Sequence, residues 1–395
     1  MKRTAVVILN YNGEEMLRRF LPSVVEYTPG ADIIVADNAS TDGSVALVKE
    51  NFPMVGLIIL DRNYGFADGY NKALESVVAD YVLLLNSDVE VTPGWLEPLV
   101  AALDADESVV ACQPKVLDFK RKTHFEYAGA AGGFIDRYGY PFCRGRIFDT
   151  VEEDCNQYDT ACDIFWATGA ALLVRAAAFR AAGGLDGSFF AHMEEIDFCW
   201  RLRARGHRIV CVPGSKVYHV GGATLSAGNP KKTYLNFRNN LLMLYKNLPA
   251  DELRCVMRVR CLLDYVAALK FAVTGEWSHC KALFRARRDF RKMKENYKSV
   301  REANLAATVC EIKERSGFML LWRYYACGAK RYSQLKKKYN GDCVIPYTRY
   351  IGRDGNCKGT ARLQYRSHCR NKAFYSGGCA LGPTFLAQGR PAVRY

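Results

Sequence analysis

Four apolar runs in the first ninety or so residues set the strongest limit on the fold, because none of them alternates with polar residues. They are TAVVILN (4–10), DIIVADN (32–38), VGLIILD (55–61) and YVLLLNSD (81–88). Helical spacing fills the gaps. GEEMLRRFLPSVVEY (13–27) repeats apolar residues at Leu17, Phe20, Leu21, Val24 and Val25, with Pro22 expected to kink or divide the helix. A short helix is expected after STDGS, and FADGYNKALESVV supplies another amphipathic one. Strands without alternation, separated by helices, predict an α/β fold with a mostly parallel sheet covered on both faces.

Each of these strands ends on polar residues: Asn10 to Asn12, Asp37 and Asn38, Asp61 to Asn63, and Asn86 to Asp88. Open α/β sheets bind ligands at the carboxyl ends of their strands. Turn chemistry accounts for any one of these ends, since Asn, Asp and Gly all favour turns. Four together predict the rim of one pocket. GAAGGF (129–134) does not open a helix after the first strand, as a dinucleotide site needs, and no GxxxxGK[ST] occurs.

Downstream, residues 105–165 show little periodicity. IFWATGAALLVR predicts a strand, AAAFRAAGG a short helix, EEIDFCWRLRARG a helix closed by Gly206, and HRIVCVPGSKVYHVGG a strand and loop carrying His219. From about 226 the pattern turns helical and basic. From about 336 it is irregular, with Cys343, Cys357, Cys369 and Cys379; disorder is the expectation there, a small Cys-linked or metal-bound element the alternative. The expected organisation is thus a catalytic domain over 1–225, a basic helical region over 226–335 and a tail over 336–395.

Charge divides along the same line. Residues 1–250 hold 25 Lys and Arg against 30 Asp and Glu, whereas 251–395 hold 30 against 11. The second half is therefore the candidate for an anionic partner. The 15 cysteines show no CxxC and no zinc spacing, and several, such as Cys112, Cys199 and Cys211, sit in apolar patterns as small hydrophobes. An odd count without a signal-peptide pattern favours a reducing cytoplasm. No run of 18 apolar residues exists, so no membrane span is expected.

VVILNYNG, VADNASTDGS, NYGFADGYNKAL, LLLNSDVEVTPGWL, TGAALLVR, GGLDGSFFAHMEEIDFCWRLRARGHRI and VYHVGGAT together resemble the bacterial family 2 glycosyltransferases, in particular the rhamnosyltransferase-like branch that builds surface polysaccharides. The resemblance covers roughly 4–245. It implies a GT-A fold with a helical C-terminal region, and an inverting transfer from a nucleotide-sugar donor, dTDP-rhamnose or a UDP-sugar. It also implies a divalent metal, Mn²⁺ or Mg²⁺, and a lipid-linked glycan acceptor.

Residue by residue, the resemblance places the DxD motif at Asn86-Ser87-Asp88, so that Asp88 is the direct metal ligand and Asn86 its hydrogen-bonding neighbour. His219 matches the histidine that closes the metal site, and imidazole suits Mn²⁺ better than Mg²⁺. Asp37 matches the aspartate that meets the base or ribose, followed by Asn38, with Tyr11 and Asn12 flanking the base. DRNYGFADGYN would wrap the nucleotide, with Gly65 allowing close approach and Asn63 and Asn71 as polar contacts. The base comes from Glu194-Glu195-Ile196-Asp197, by alignment Glu195, with Glu194 the competing choice. Adjacent carboxylates raise one another's pKa, which suits a base. Three acids at a helix start also complement its dipole. Arg201 has two readings, an i,i+4 ion pair with Asp197 and a contact to the donor diphosphate.

Basic amphipathic segments at 254–273 and 317–332 are the candidates for an anionic membrane surface, each surface cation contributing about 1 kcal/mol. That would place the protein at the inner face of the cytoplasmic membrane. Packing on the catalytic domain, or an oligomer contact, is the competing expectation. A nucleotidyltransferase would need a basic loop where NYNGEEM stands, and no nucleic-acid motif occurs, so no nucleic-acid partner is expected. Departures at Asn86 and Glu195 leave an inactive relative as a further alternative.

Overall fold

The computed structural model describes residues 2–221 and 228–337, which lie within one compact unit, Met1–Asn340. In order, the chain forms β1 (Thr4–Asn10), α1 (Glu14–Tyr27), β2 (Asp32–Asp37), α2 (Ser44–Asn51), β3 (Gly56–Ile59), α3 (Gly65–Glu75), β4 (Tyr81–Asn86) and β5 (Val89–Val91). There follow α4 (Glu97–Ala105), β6 (Val109–Asp118), β7 (Gly133–Ile135), β8 (Pro141–Cys143), β9 (Arg146–Ile147), β10 (Thr150–Val151), β11 (Cys162–Asp163) and β12 (Ala171–Arg175). The remainder is helical apart from one long strand: α5 (Ala176–Ala181), α6 (Glu194–Ala204), β13 (Arg208–His219), α7 (Pro230–Asn247), α8 (Ala250–Val273), α9 (Trp277–Met293), α10 (Lys298–Ala306) and α11 (Tyr332–Lys337).

The main sheet runs β11-β13-β6-β12-β4-β1-β2-β3, with β5 paired to β13. β3, β2, β1 and β4 are parallel neighbours, while β12 enters antiparallel between β4 and β6. The unbroken apolar runs are explained by burial of both faces. Ala5, Val7, Val82 and Leu84 face one core with α3, α6 and α7, while Val6, Ile8, Leu83 and Leu85 face a second core with α1 and α4. Each fully buried Val or Leu side chain contributes about 1.5–3 kcal/mol. Register then aligns the strand ends: Asn10 pairs with Asp37, and Leu9 with Asn86.

Pro22 does not divide α1. It removes one amide from the helix ladder, but Leu17, Phe20, Leu21 and Val24 are buried around it, and Ser23 Oγ donates to the Phe20 carbonyl at 2.8 Å. The unreadable stretch contains β6 and a four-stranded sheet, β10-β9-β8-β7, whose strands are two or three residues long. IFWATGAALLVR is a strand only from Ala171 onward.

The basic helices are not set apart from the catalytic part. Leu241, Leu242, Met243 and Leu244 of α7 are buried in the same core as Val82 and Leu84. Of the two candidate surface segments, 317–332 is largely used internally. Leu320 and Tyr324 are buried, Phe318 packs on Phe142, and Tyr332 packs on Phe134 and Phe142. The boundary expected at 225/226 and nearly all of the expected tail, including its four cysteines, lie outside the described residues. Cys112, Cys199 and Cys211 are buried thiols.

Candidate active site

β13 ends beside β5, with His219 opposite Val89, so the ring falls next to Asp88, one residue earlier. Both side chains are buried, and His219 Nε2 lies 3.1 Å from Asp88 Oδ1. Asn86 Nδ2 is 3.4 Å from the same ring nitrogen. The other nitrogen, Nδ1, faces Glu126 Oε1 at 3.4 Å. Glu126 lies on the segment that folds back along β6, where its amide donates to the Val116 carbonyl. Burial pushes the Asp88 carboxyl up, but the His219 charge and hydrogen bond outweigh it and hold Asp88 below the usual carboxylate range. Burial likewise works against the His219 imidazolium; Asp88 and then Glu126 outweigh it, raising the pKa to about 10.

Glu126 was missed by sequence reasoning, which had no local signal for a carboxylate so far from Asp88 and His219. It stands behind the ring, on the side away from Asp88. Among the described residues, no group of three or more His, Cys, Asp or Glu is arranged to hold a metal ion. The donor set is instead one carboxylate and one imidazole at a strand-end rim. That fits a hard cation whose remaining ligands are phosphate and water.

The acidic helix start packs close to the turn that carries Gly169. Asn86 donates its amide to the Ala170 carbonyl at 3.0 Å, which places the Gly169-Ala170 turn beside the β4 end. A Cβ on Gly169 would lie 3.1 Å from the Phe66 ring and 3.8 Å from Glu195 Cβ. Glu194 and Glu195 head α6, and one oxygen of each is buried without a hydrogen-bond partner among the described residues. Burial raises both, Glu195 to about 7, and the Glu195 charge raises Glu194 further.

Asp197 has a different role from its two neighbours. It is fully buried and takes hydrogen bonds from Arg201 Nε at 3.0 Å, Lys246 Nζ at 2.8 Å and Asn247 Nδ2 at 2.8 Å. Burial would raise its pKa, but Lys246 and Arg201 outweigh that and lower it. Arg201 also donates to the carbonyls of Ala182 and Gly184. Of the two readings of Arg201, the i,i+4 pair with Asp197 is the contact the structure contains.

The β1 end forms the other wall. Tyr11, exposed, and Asn12 border a cleft of about 620 Å³ together with Arg18, Asp42 and Ser87. Asp37, at the neighbouring β2 end, is buried and takes hydrogen bonds from the Ser40 amide and Asn10 Nδ2. Asn12 Oδ1 accepts from the Thr41 amide at 2.7 Å. Asn38 donates to Asn63 Oδ1 and the Gly65 carbonyl and accepts from the Tyr64 amide, tying the β3 exit to β2. Gly65 has φ +76°, and a Cβ there would lie 2.5 Å from Phe190, so that ring approaches its backbone closely. Asn71 lies on α3 and exchanges hydrogen bonds with the Leu185 backbone, which turns it toward the 184–185 loop.

Residues 5–161 match the family model described as Glycosyl transferase family 2. This stretch is a family 2 glycosyltransferase domain. The chain is 28% identical over 229 residues to the N-acetylglucosaminyl-diphospho-decaprenol L-rhamnosyltransferase of Mycobacterium tuberculosis, covering 54% of this chain and 75% of that one. It is 24% identical over 222 residues to Rhamnosyltransferase WbbL of Escherichia coli, covering 54% and 82%. GalNAc-T7, solved with UDP, GalNAc and Mn²⁺, superposes with a TM-score of 0.51 at 17% identity, over 63% of this chain and 49% of that one. At that identity the likeness is one of fold, the GT-A fold.

Proposed function

We propose that this glycosyltransferase inverts a sugar as it moves it from a nucleoside diphosphate, dTDP-rhamnose or a UDP-sugar, to a hydroxyl of a lipid-linked glycan. The observation that carries this reading is the pairing of two raised carboxylates, Glu194 and Glu195, with the Asp88–His219 rim across Gly169. The lipid-linked acceptor is carried over from the name of the mycobacterial relative.

Tyr11 and Asn12 flank the nucleoside over the turn that Asp37 and Asn38 organise. Asp88 and His219 would hold the divalent metal, with Asn86 beside them and Glu126 orienting the ring. When bound, the metal neutralises the charge that develops on the diphosphate. Glu195 takes the proton from the acceptor hydroxyl as its oxygen bonds to the anomeric carbon and the bond to the diphosphate breaks on the opposite side. A carboxylate with a pKa near neutrality is poised for that transfer. The cleft beside Tyr11 includes Glu14, Glu15 and Asp42, which disfavours a nucleotidyltransferase that must cradle a triphosphate there.

A membrane surface suits such an acceptor. No helix among the described residues is long and apolar enough to cross a membrane. On α8, however, Leu262, Val266, Leu269 and Val273 form one exposed stripe at helical spacing, continued by Trp277, itself 60% exposed. Arg254, Arg258, Lys270, Lys281, Arg285 and Arg288 are exposed around it, and Glu276 is the one exposed acid among these described residues, 254–292. The protein is expected to float with phosphatidylglycerol vesicles and to be released by salt or by Leu269→Ser with Val273→Ser. No flotation, or a dimer that those substitutions dissolve, overturns the surface reading.

The function is tested by thermal shift against UDP-, dTDP- and GDP-sugars with Mn²⁺, followed by transfer to a polyprenyl-diphosphate sugar. Stabilisation by one nucleotide class and an inverted product are expected. Stabilisation by none of the donors, or a product with retained configuration, overturns the reading.

A further inference from the structure

The chain leading into α6 adopts an unfavourable backbone. Phe190, His192 and Met193 all have positive φ, 64°, 70° and 72°, and none is glycine. Side-chain-bearing residues avoid this region, and such runs persist only where the surroundings over-determine them. Here the overriding contacts come from α7.

The turn aims three carbonyls at one point, and Asn239 occupies that point. Its Nδ2 lies 3.0 Å from the Phe189 oxygen, 2.9 Å from Ala191 and 2.8 Å from His192. The neighbouring Arg238 fixes which way the amide faces. Arg238 Nε donates to Asn239 Oδ1 at 2.9 Å, and a guanidinium has no acceptor to offer the NH₂ group. The amide oxygen therefore faces Arg238 and the NH₂ faces the turn. Arg238 Nη2 adds bonds to the Ser188 and Phe189 carbonyls. The Phe190 carbonyl points the other way and caps the start of α3 through the Phe66 and Ala67 amides. Every carbonyl from Ser188 to His192 is thus held, and the next residues but one are Glu194 and Glu195.

We propose that Asn239, on a helix beyond residues 5–161, is the positioning residue for the carboxylate pair. It fixes the strained turn and through it the distance from the base to the acceptor. This rests on the reading of Glu194 and Glu195 as the base pair.

Two variants test it, Asn239→Ala and Asn239→Asp. Aspartate keeps the size and the bond from Arg238, yet turns an acceptor toward three carbonyls. Amide hydrogen exchange over 187–198 is expected to quicken about tenfold in both, with α7 and the central sheet unchanged. Unchanged exchange over that turn overturns the clamp without touching the assigned function. In transfer assays corrected for the fraction of protein that binds nucleotide, kcat is expected to fall about a hundredfold with the donor KM unchanged, Asp being worse than Ala. A loosened turn with wild-type kcat per binding-competent molecule overturns the positioning role, because a merely structural residue lowers only the competent fraction.

Discussion

The two walls of the site are made in opposite ways. On the donor side each polar residue closes the strand that precedes it, and neighbouring strand ends hold one another: Asn10 with Asp37, Asn38 with Asn63. On the base side, Glu194 and Glu195 depend on groups far along the chain. Asn239 pins the turn before them, while Lys246 and Asn247 grip Asp197 just after them. The donor wall is local and the base wall is imported. Damage to the first should weaken binding, and damage to the second should slow or unfold a protein that still recognises its donor.

The sharpest break between the walls comes from Glu195→Gln. Transfer is expected to fall by about 10²–10⁴ with donor affinity kept, as read by titration calorimetry beside initial rates. If Glu194→Gln is the variant that dies instead, the base is Glu194. Because burial raises Glu195 to about 7, kcat/KM should climb with pH through that region as Glu195 ionises. A flat profile from pH 5 to 9 would remove the pair from the proton transfer.

Lys246→Met tests the imported anchor. It leaves the buried Asp197 and the half-buried Asp186 facing fewer cations, and a loss of roughly 3 kcal/mol in urea unfolding is expected. The pH sign follows from Asp197. Its folded pKa is lowered, so it contributes stability above its unfolded pKa, and that contribution is lost as pH falls through the folded value. With Lys246 gone the lowering shrinks, so the variant should forfeit less on acidification while being weaker at neutral pH.

Smaller still is Glu126→Ala, which removes the carboxylate behind His219. The Mn²⁺ concentration for half-maximal activity, and the Kd for Mn²⁺ with nucleoside diphosphate, should rise about 10–100-fold. Unaltered Mn²⁺ affinity would make Glu126 a turn residue, whose job is to accept the Ala128 amide.

The same contrast explains what could be read in advance. The strand ends were legible because both faces of β1, β2 and β4 are buried, which writes an unbroken apolar run ending where solvent begins. The Asp197–Arg201 pair was legible from its i,i+4 spacing. Asn239 was not, since an asparagine inside an amphipathic helix looks like any polar-face residue until the turn at 189–192 lies beneath it. Glu126 was hidden because its partner His219 is distant in the sequence, and β7 to β10 because strands of two or three residues are too short to show a period. Gly65 and Asn71 contact Phe190 and the Leu185 backbone, contacts hidden in the sequence because a polar, glycine-rich segment looks the same whether it meets a ligand or another loop.

Lys246 sits buried between two carboxylates that precede β13 in the chain, 2.5 Å from Asp186 and 2.8 Å from Asp197. Anyone recombining this chain with a relative to change its acceptor should therefore treat α7 as part of the inherited catalytic cassette. A junction placed at the end of β13 would separate a lysine from its two partners and hand the new protein a pair of stranded charges.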